Sequence, residues 1–217
     1  MARITQVAPA GAVTDRIRQR RGGTLTALDG VLLHSPEFAD GWNSMLGAVR
    51  GQSTLPPDVR ELVILRVAAR NNADYEWRAH EPVARQAGLG DDQIAAIGLG
   101  GGAGGGTGAG GGTGAGGGTG GGAGGGGTGV GLSPAQWAAL SYADAMTMHV
   151  TVPDEIFQAV RAHFDDRQVL ELTVTVAAYN MVSRVLVALE VQPGDDPFPA
   201  GSQADDAADR DARGLRS

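Results

Sequence analysis

The stretch Tyr75-Glu76-Trp77-Arg78-Ala79-His80 sets a carboxylate and an imidazole four residues apart. On a helix that spacing puts both side chains on one face. A carboxylate beside an imidazole fixes its tautomer and raises its pKa, which suits proton transfer near neutral pH. An exposed i,i+4 ion pair has the same spacing and contributes little; on spacing alone it is the commoner explanation. Asn180 and Arg184 also share a helical face. They could hold a substrate carboxylate, or Arg184 could bond a buried carboxylate such as Glu171.

Other chemistry is excluded by residue type. The chain has no cysteine, which removes disulfides, thiol catalysis, thiolate ligands and redox relays together. All 17 basic residues are arginine, so a lysine Schiff base is impossible. Two glutamates and a histidine raise the question of a metal. Helical di-iron sites use Glu-x-x-His pairs, two of them, and the sequence has none, so no metal or other cofactor is expected. The remaining histidines, His34, His149 and His163, read as structural or solvated. Net charge is −7 with no basic stripe, which argues against nucleic acid as a partner. The run Arg16-Ile17-Arg18-Gln19-Arg20-Arg21 reads as a solvated helix face rather than a phosphate contact. No apolar run approaches the roughly 20 residues that cross a bilayer, and the first residues lack a signal-peptide core. The expected compartment is the cytoplasm, with no membrane partner.

The elements that would hold such residues read as helices. Ser35-Pro36 is a cap followed by a first-turn proline, opening a helix to about Arg50. Its apolar positions Phe38, Trp42, Met45, Leu46 and Val49 follow 3.6-residue spacing. Pro56-Pro57 opens the next, with Leu62, Leu65, Val67 and Ala69 partly buried, and Asn71-Asn72 breaks it. A helix from Asp74 stops at Gly88. A short one follows from Asp91 or Asp92. Ser133-Pro134 and Pro153-Asp154 open two more. The last runs from about Arg167 to Glu190, stopped by Pro193-Gly194; it is apolar on nearly all sides, so burial partly against another subunit is expected.

Residues 98–131 are almost wholly Gly, Ala and Thr, with the hexad Gly-Ala-Gly-Gly-Gly-Thr repeated without error at 102–107, 108–113 and 114–119. Such a chain buries almost no side chain and loses the most backbone entropy on ordering. It reads as a flexible insertion; helical flanks and the lack of lysine argue against a phosphate-binding loop. Loop-closure entropy grows only logarithmically with length, so 1–192 is expected to form a single domain around it. Residues 193–217 read as a disordered tail.

The run from Glu61 to Gly88 resembles the carboxymuconolactone decarboxylase family of the alkyl hydroperoxidase D-like superfamily. The resemblance includes His34-Ser35-Pro36, Gly41-Trp42 and Leu55 upstream. Downstream it resumes at Leu132-Ser133, Val152-Pro153-Asp154, Glu171-Leu172 and Tyr179-Asn180-Met181-Val182-Ser183-Arg184. It implies an all-α, alkyl hydroperoxidase D-like helical bundle that assembles as a homotrimer or hexamer. In the hydroperoxidase branch a Glu precedes Cys-x-x-Cys-x-x-x-His; matched residue by residue, Glu61 and His80 take the Glu and His positions, and the cysteines fall on Ala73 and Glu76. Thiol peroxidase activity is therefore excluded, and a proton-handling set remains. The decarboxylase branch uses acid–base residues without metal or cofactor on a carboxylated lactone.

The resulting expectation is a decarboxylase or isomerase for a small carboxylated lactone or enolisable acid. Glu76 and His80 would move a proton, with Glu61 orienting or relaying to His80. Trp42, Tyr75 and Trp77 would line the pocket, with Asn180 and Arg184 holding substrate charge. A non-catalytic oligomeric binding protein of the same fold and a metal-dependent oxygenase are the alternatives.

Overall fold

The computed structural model describes residues 2–98 and 131–195. The expected insertion, apart from its two ends, and the tail beyond Asp195 lie outside the described residues. Within them the chain forms nine α-helices, a short 3-10 turn at Pro193–Asp195 and no β-strand.

The helices are α1 (Ala12–Arg20), α2 (Ala27–Leu32), α3 (Pro36–Gly51), α4 (Pro57–Arg70), α5 (Asp74–Gln86), α6 (Asp91–Gly98), α7 (Pro134–His149), α8 (Asp154–Arg161) and α9 (Asp166–Ala188). The helix starts follow from local chemistry. Proline occupies the first turn of α3, α4 and α7, where its missing N–H has no partner to lose. Reciprocal capping boxes join Thr26 with Asp29, Ser133 with Gln136 and Asp165 with Gln168. Gly88 ends the α5 region at φ +102, a conformation that side chains rarely adopt. Helix α2 was not anticipated from sequence, and of α1 only the arginine-rich end was read as helical.

Helix α4 is the centre of the fold, packed against α5, α6, α7 and α9. Leu62, Val63, Ile64, Leu65 and Val67 are all fully buried. Burying each such side chain contributes about 1.5–3 kcal/mol. A helix surrounded on every side cannot leave its polar residues unanswered. Arg66 therefore forks onto Asp144 of α7 through two 2.7 Å hydrogen bonds and donates to the Ile97 carbonyl at 2.6 Å. Arg70 forks onto the same carboxylate, at 2.8 and 2.7 Å. Burial alone would raise the pKa of Asp144, but hydrogen bonds from both arginines and their charges hold it below the usual range. Glu61, also on α4, is the other buried charge.

Sequence reading expected α9 to be buried, partly against another subunit. Its most apolar window does have a mean hydropathy of 1.3, within the range of bilayer-crossing helices, but only half of that window is buried. Leu172, Val176, Tyr179, Val182 and Leu186 face the core, while Leu170 is 63% exposed and Val174 and Val187 are exposed too.

Candidate functional site

Helices α4, α5 and α9 bring together side chains far apart in sequence. Glu61 is 1% exposed. Its Oε2 lies 2.7 Å from His80 Nδ1, and Arg60 Nε donates to its Oε1 at 3.2 Å. Burial would raise the Glu61 pKa; hydrogen bonds from His80 and Arg60, with their charges, outweigh it and keep the carboxylate ionised. An ionised acceptor at Nδ1 assigns the proton there. In the neutral ring Nε2 is then the acceptor, and the Tyr179 hydroxyl donates to it at 3.1 Å. The two rings meet edge to face, with centroids 5.0 Å apart. Burial raises the Tyr179 pKa, so the phenol keeps its proton. The result is a buried chain, Tyr179 to His80 to Glu61.

Glu76 is one helical turn before His80 and makes no hydrogen bond to it. Its residue is 2% exposed, and neither carboxyl oxygen has a hydrogen-bond partner among the described residues. Burial lifts its pKa well above the ordinary value. The first turn of a helix favours a negative charge by only about 0.3–1 kcal/mol. Burying an uncompensated carboxylate costs several kcal/mol. Burial wins, and Glu76 is a neutral acid. Sequence reading had treated it as a base paired with His80; Glu61 occupies that imidazole instead.

A cavity of about 130 Å³ joins these groups, and its wall includes Trp42, Tyr75, Glu76, His80 and Tyr179. Arg21 and Arg50 also line it. Three sequence expectations fall elsewhere. Trp77 is not part of the wall; its ring packs beside Gly98 of α6. Asn180 belongs to a separate polar network: its amide donates to Thr147 Oγ1 at 2.9 Å and to the Val176 carbonyl, and its Oδ1 accepts from Asn71 at 3.0 Å. Arg184 is exposed and donates to the Asn180 carbonyl at 2.9 Å. Residues 180 and 184 therefore share a helical face as expected, but one turned toward α7 and solvent. Glu171 has other partners, Arg167, Ser53 and Thr54.

Tyr179, Arg21 and Arg50 were missed as site residues. Tyr179 meets His80 across 99 positions, a contact that no local spacing signals. Among the described residues no group of three His, Asp or Glu side chains is placed to hold a metal ion.

The helical bundle is similar in fold to several solved structures. The debrominase Bmp8, solved as a cysteine-to-alanine variant with 2,3,4-tribromopyrrole, is 13% identical; the match covers 88% of this chain and 93% of that one, at a TM-score of 0.64. An alkylhydroperoxidase AhpD core, a peroxidase-related protein from Ralstonia eutropha JMP134, is 20% identical, with 89% and 93% covered and a TM-score of 0.62. A peroxidase-related protein from Silicibacter sp. TM1040 is 18% identical, with 86% and 89% covered and a TM-score of 0.61. These similarities establish the fold. Residues 36–109 match the sequence profile of the carboxymuconolactone decarboxylase family. Over those residues the chain is similar to that family, and it has no cysteine. No curated protein matches the sequence significantly.

Proposed function

We propose that this chain is a cofactor-independent acid–base enzyme, a carboxy-lyase or isomerase for a small carboxylated lactone or other enolisable acid. One arrangement carries the reading. A neutral, unpartnered Glu76 and the Tyr179–His80–Glu61 chain face the same cavity. A proton donor and a proton acceptor held apart by environment are what enolate chemistry needs.

In a decarboxylation, the electrons of the breaking C–C bond pass into an enolate as CO₂ leaves. The Glu76 proton goes to the carbon, and Glu76 is reprotonated from solvent. In an isomerisation, the Tyr179 oxygen takes the proton next to the carbonyl while its own proton passes to His80 Nε2. The imidazolium is stabilised by Glu61. The double bond shifts, Glu76 protonates the far carbon, and solvent carries one proton from the imidazolium back to Glu76. Similarity of residues 36–109 to the decarboxylase family supports the reading. So does the small ring molecule bound by the debrominase Bmp8, since the cavity here also suits a small guest.

The test is a screen of carboxylated lactones and β-keto acids for CO₂ release or isomerisation. On an active substrate, Glu76→Gln, His80→Ala and Tyr179→Phe are each expected to lower kcat by about 10²–10⁴-fold. Their losses should be non-additive, because the groups act together. Near wild-type kcat in Glu76→Gln would end the proposal. A protein that binds these acids without converting any of them favours the binding-protein alternative.

A further inference from the structure

We infer that the cavity wall formed by Arg50, with Arg21, is a carboxylate subsite, and that the carboxylate it holds stays on the substrate through the reaction. This rests on the acid–base reading above and states what the substrate must carry.

The charged and titratable groups around the cavity come from every element packed on it. The end of α1 supplies Arg20 and, just beyond it, Arg21. Helix α2 supplies Asp29, α3 Arg50, α4 Arg60 and Glu61, α5 Glu76 and His80, and α9 Tyr179. The anions among them are already committed. Asp29 accepts from Arg21 Nη2 at 3.0 Å and from Thr26 N and Oγ1 at 2.9 and 2.7 Å. Glu61 is held by His80 and Arg60. Glu76 adds no charge.

The cations are not all committed. Arg50 donates through Nε to the Leu46 carbonyl at 3.2 Å, and no carboxylate among the described residues pairs with it. Arg20 bonds Asn43 and feels burial and then the charges of Arg21 and Arg50, which together lower its pKa. Of these three guanidinium groups only Arg21 has a carboxylate partner, Asp29, beside a partly enclosed space. Unneutralised charge in such a place attracts an anion, and a guanidinium fork matches a carboxylate in shape as well as sign. The two unpartnered Glu76 oxygens are a second, independent sign that the space is completed by a polar guest.

Size narrows the guest. A cavity of roughly 150 Å³ admits benzene, so about 130 Å³ suits a five- or six-membered ring or a short chain bearing one carboxylate.

Chemistry decides which carboxylate. A carboxylate leaving as CO₂ gives up its negative charge, so a guanidinium bound to it stabilises the ground state more than the transition state and slows that step. The group on Arg50 is therefore the one retained. The carbon that changes lies toward Glu76 and Tyr179. A decarboxylation here needs a second carboxylate, placed away from the arginines; an isomerisation needs only one.

The test compares furan-2-carboxylate with furan-2-carboxamide, equal in shape and different in charge, by calorimetric titration of the full-length protein. The carboxylate is expected to bind about tenfold tighter or more. Arg50→Gln should abolish the preference, Arg50→Lys should keep part of it, and Glu76→Gln should leave it intact. Circular dichroism and thermal unfolding report whether each variant folds, and Arg50→Lys carries the comparison if the glutamine variant does not. Equal binding of the two compounds, binding of neither up to their solubility limits, or an undiminished preference without the Arg50 charge would overturn the subsite. Binding does not require turnover. A carboxylate preference without any conversion would thus sink the catalytic reading and leave the subsite standing.

Discussion

Glu76 holds a proton that an ordinary glutamate gives up, and this makes a measurable link between its state and folding. Its pKa is raised in the native protein from 4.5, because it is buried without a partner. Between 4.5 and its native pKa the folded state keeps a proton that the unfolded chain loses. Stability from this group is complete below about pH 4.5 and falls as pH rises, by about 1.4 kcal/mol per unit. The slope should vanish in Glu76→Gln, so the variant's stability relative to wild type should grow as pH rises above 4.5 in urea titrations. Parallel pH profiles would mean that Glu76 is ionised. Acid lability below pH 4.5 has a different source. Glu61, Asp144 and Glu171 have depressed values, the last drawn down to about 2 because hydrogen bonds from Arg167, Thr54 and Ser53 outweigh its burial. Their contributions are lost as pH falls, so the two effects occupy separate windows.

Helix punctuation was legible at the element scale because it is local. Ser133 and Pro134, or Pro56 and Pro57, carry their message within a turn, and the corresponding starts lie where they were read. The buried side of α1 and the whole of α2 were not legible: α2 has only six residues, and the arginine run in α1 masks a stripe in which Thr14 and Ile17 alone are buried. The site divides the same way. Glu61, Glu76 and His80 sit in motif-like spacing, whereas Tyr179, Arg21 and Arg50 reach the cavity only through packing of distant helices. One element end is strained. Val150, which closes α7, has φ 65 and is 84% exposed, so it holds an unfavourable backbone without any packing in return. Val150→Gly relieves about 1–3 kcal/mol of strain and adds about 0.5–1 kcal/mol of unfolded-state entropy. The net expectation is a gain of about 1 kcal/mol, a rise in Tm of roughly 2–4 °C. An unchanged or lower Tm in calorimetry would show that the conformation is not costly.

For the whole molecule, the exposed side of α9 asks for a neighbour. Leu170 and Val174 flank a groove toward Met45 of α3 that is lined mainly by apolar atoms. We propose that the chain forms a homo-oligomer, a trimer or a multiple of one, through this face. Light scattering at micromolar concentration should give a multiple of the 22.1 kDa chain mass, and Leu170→Glu should lower it. A clean monomer for the wild type would remove the proposal. Another consequence at this scale comes from Arg66. It grips Ile97 on one side of the glycine stretch and Asp144 on the other, while Gln93 bonds Gly131 at 2.8 Å. The seam between the two flanks is thus closed by side chains. Repeated hexads are what copying errors lengthen and shorten during replication. A gene with such a tract at this seam can drift in length from one generation to the next while the candidate-site residues on α5 and α9 stay in register.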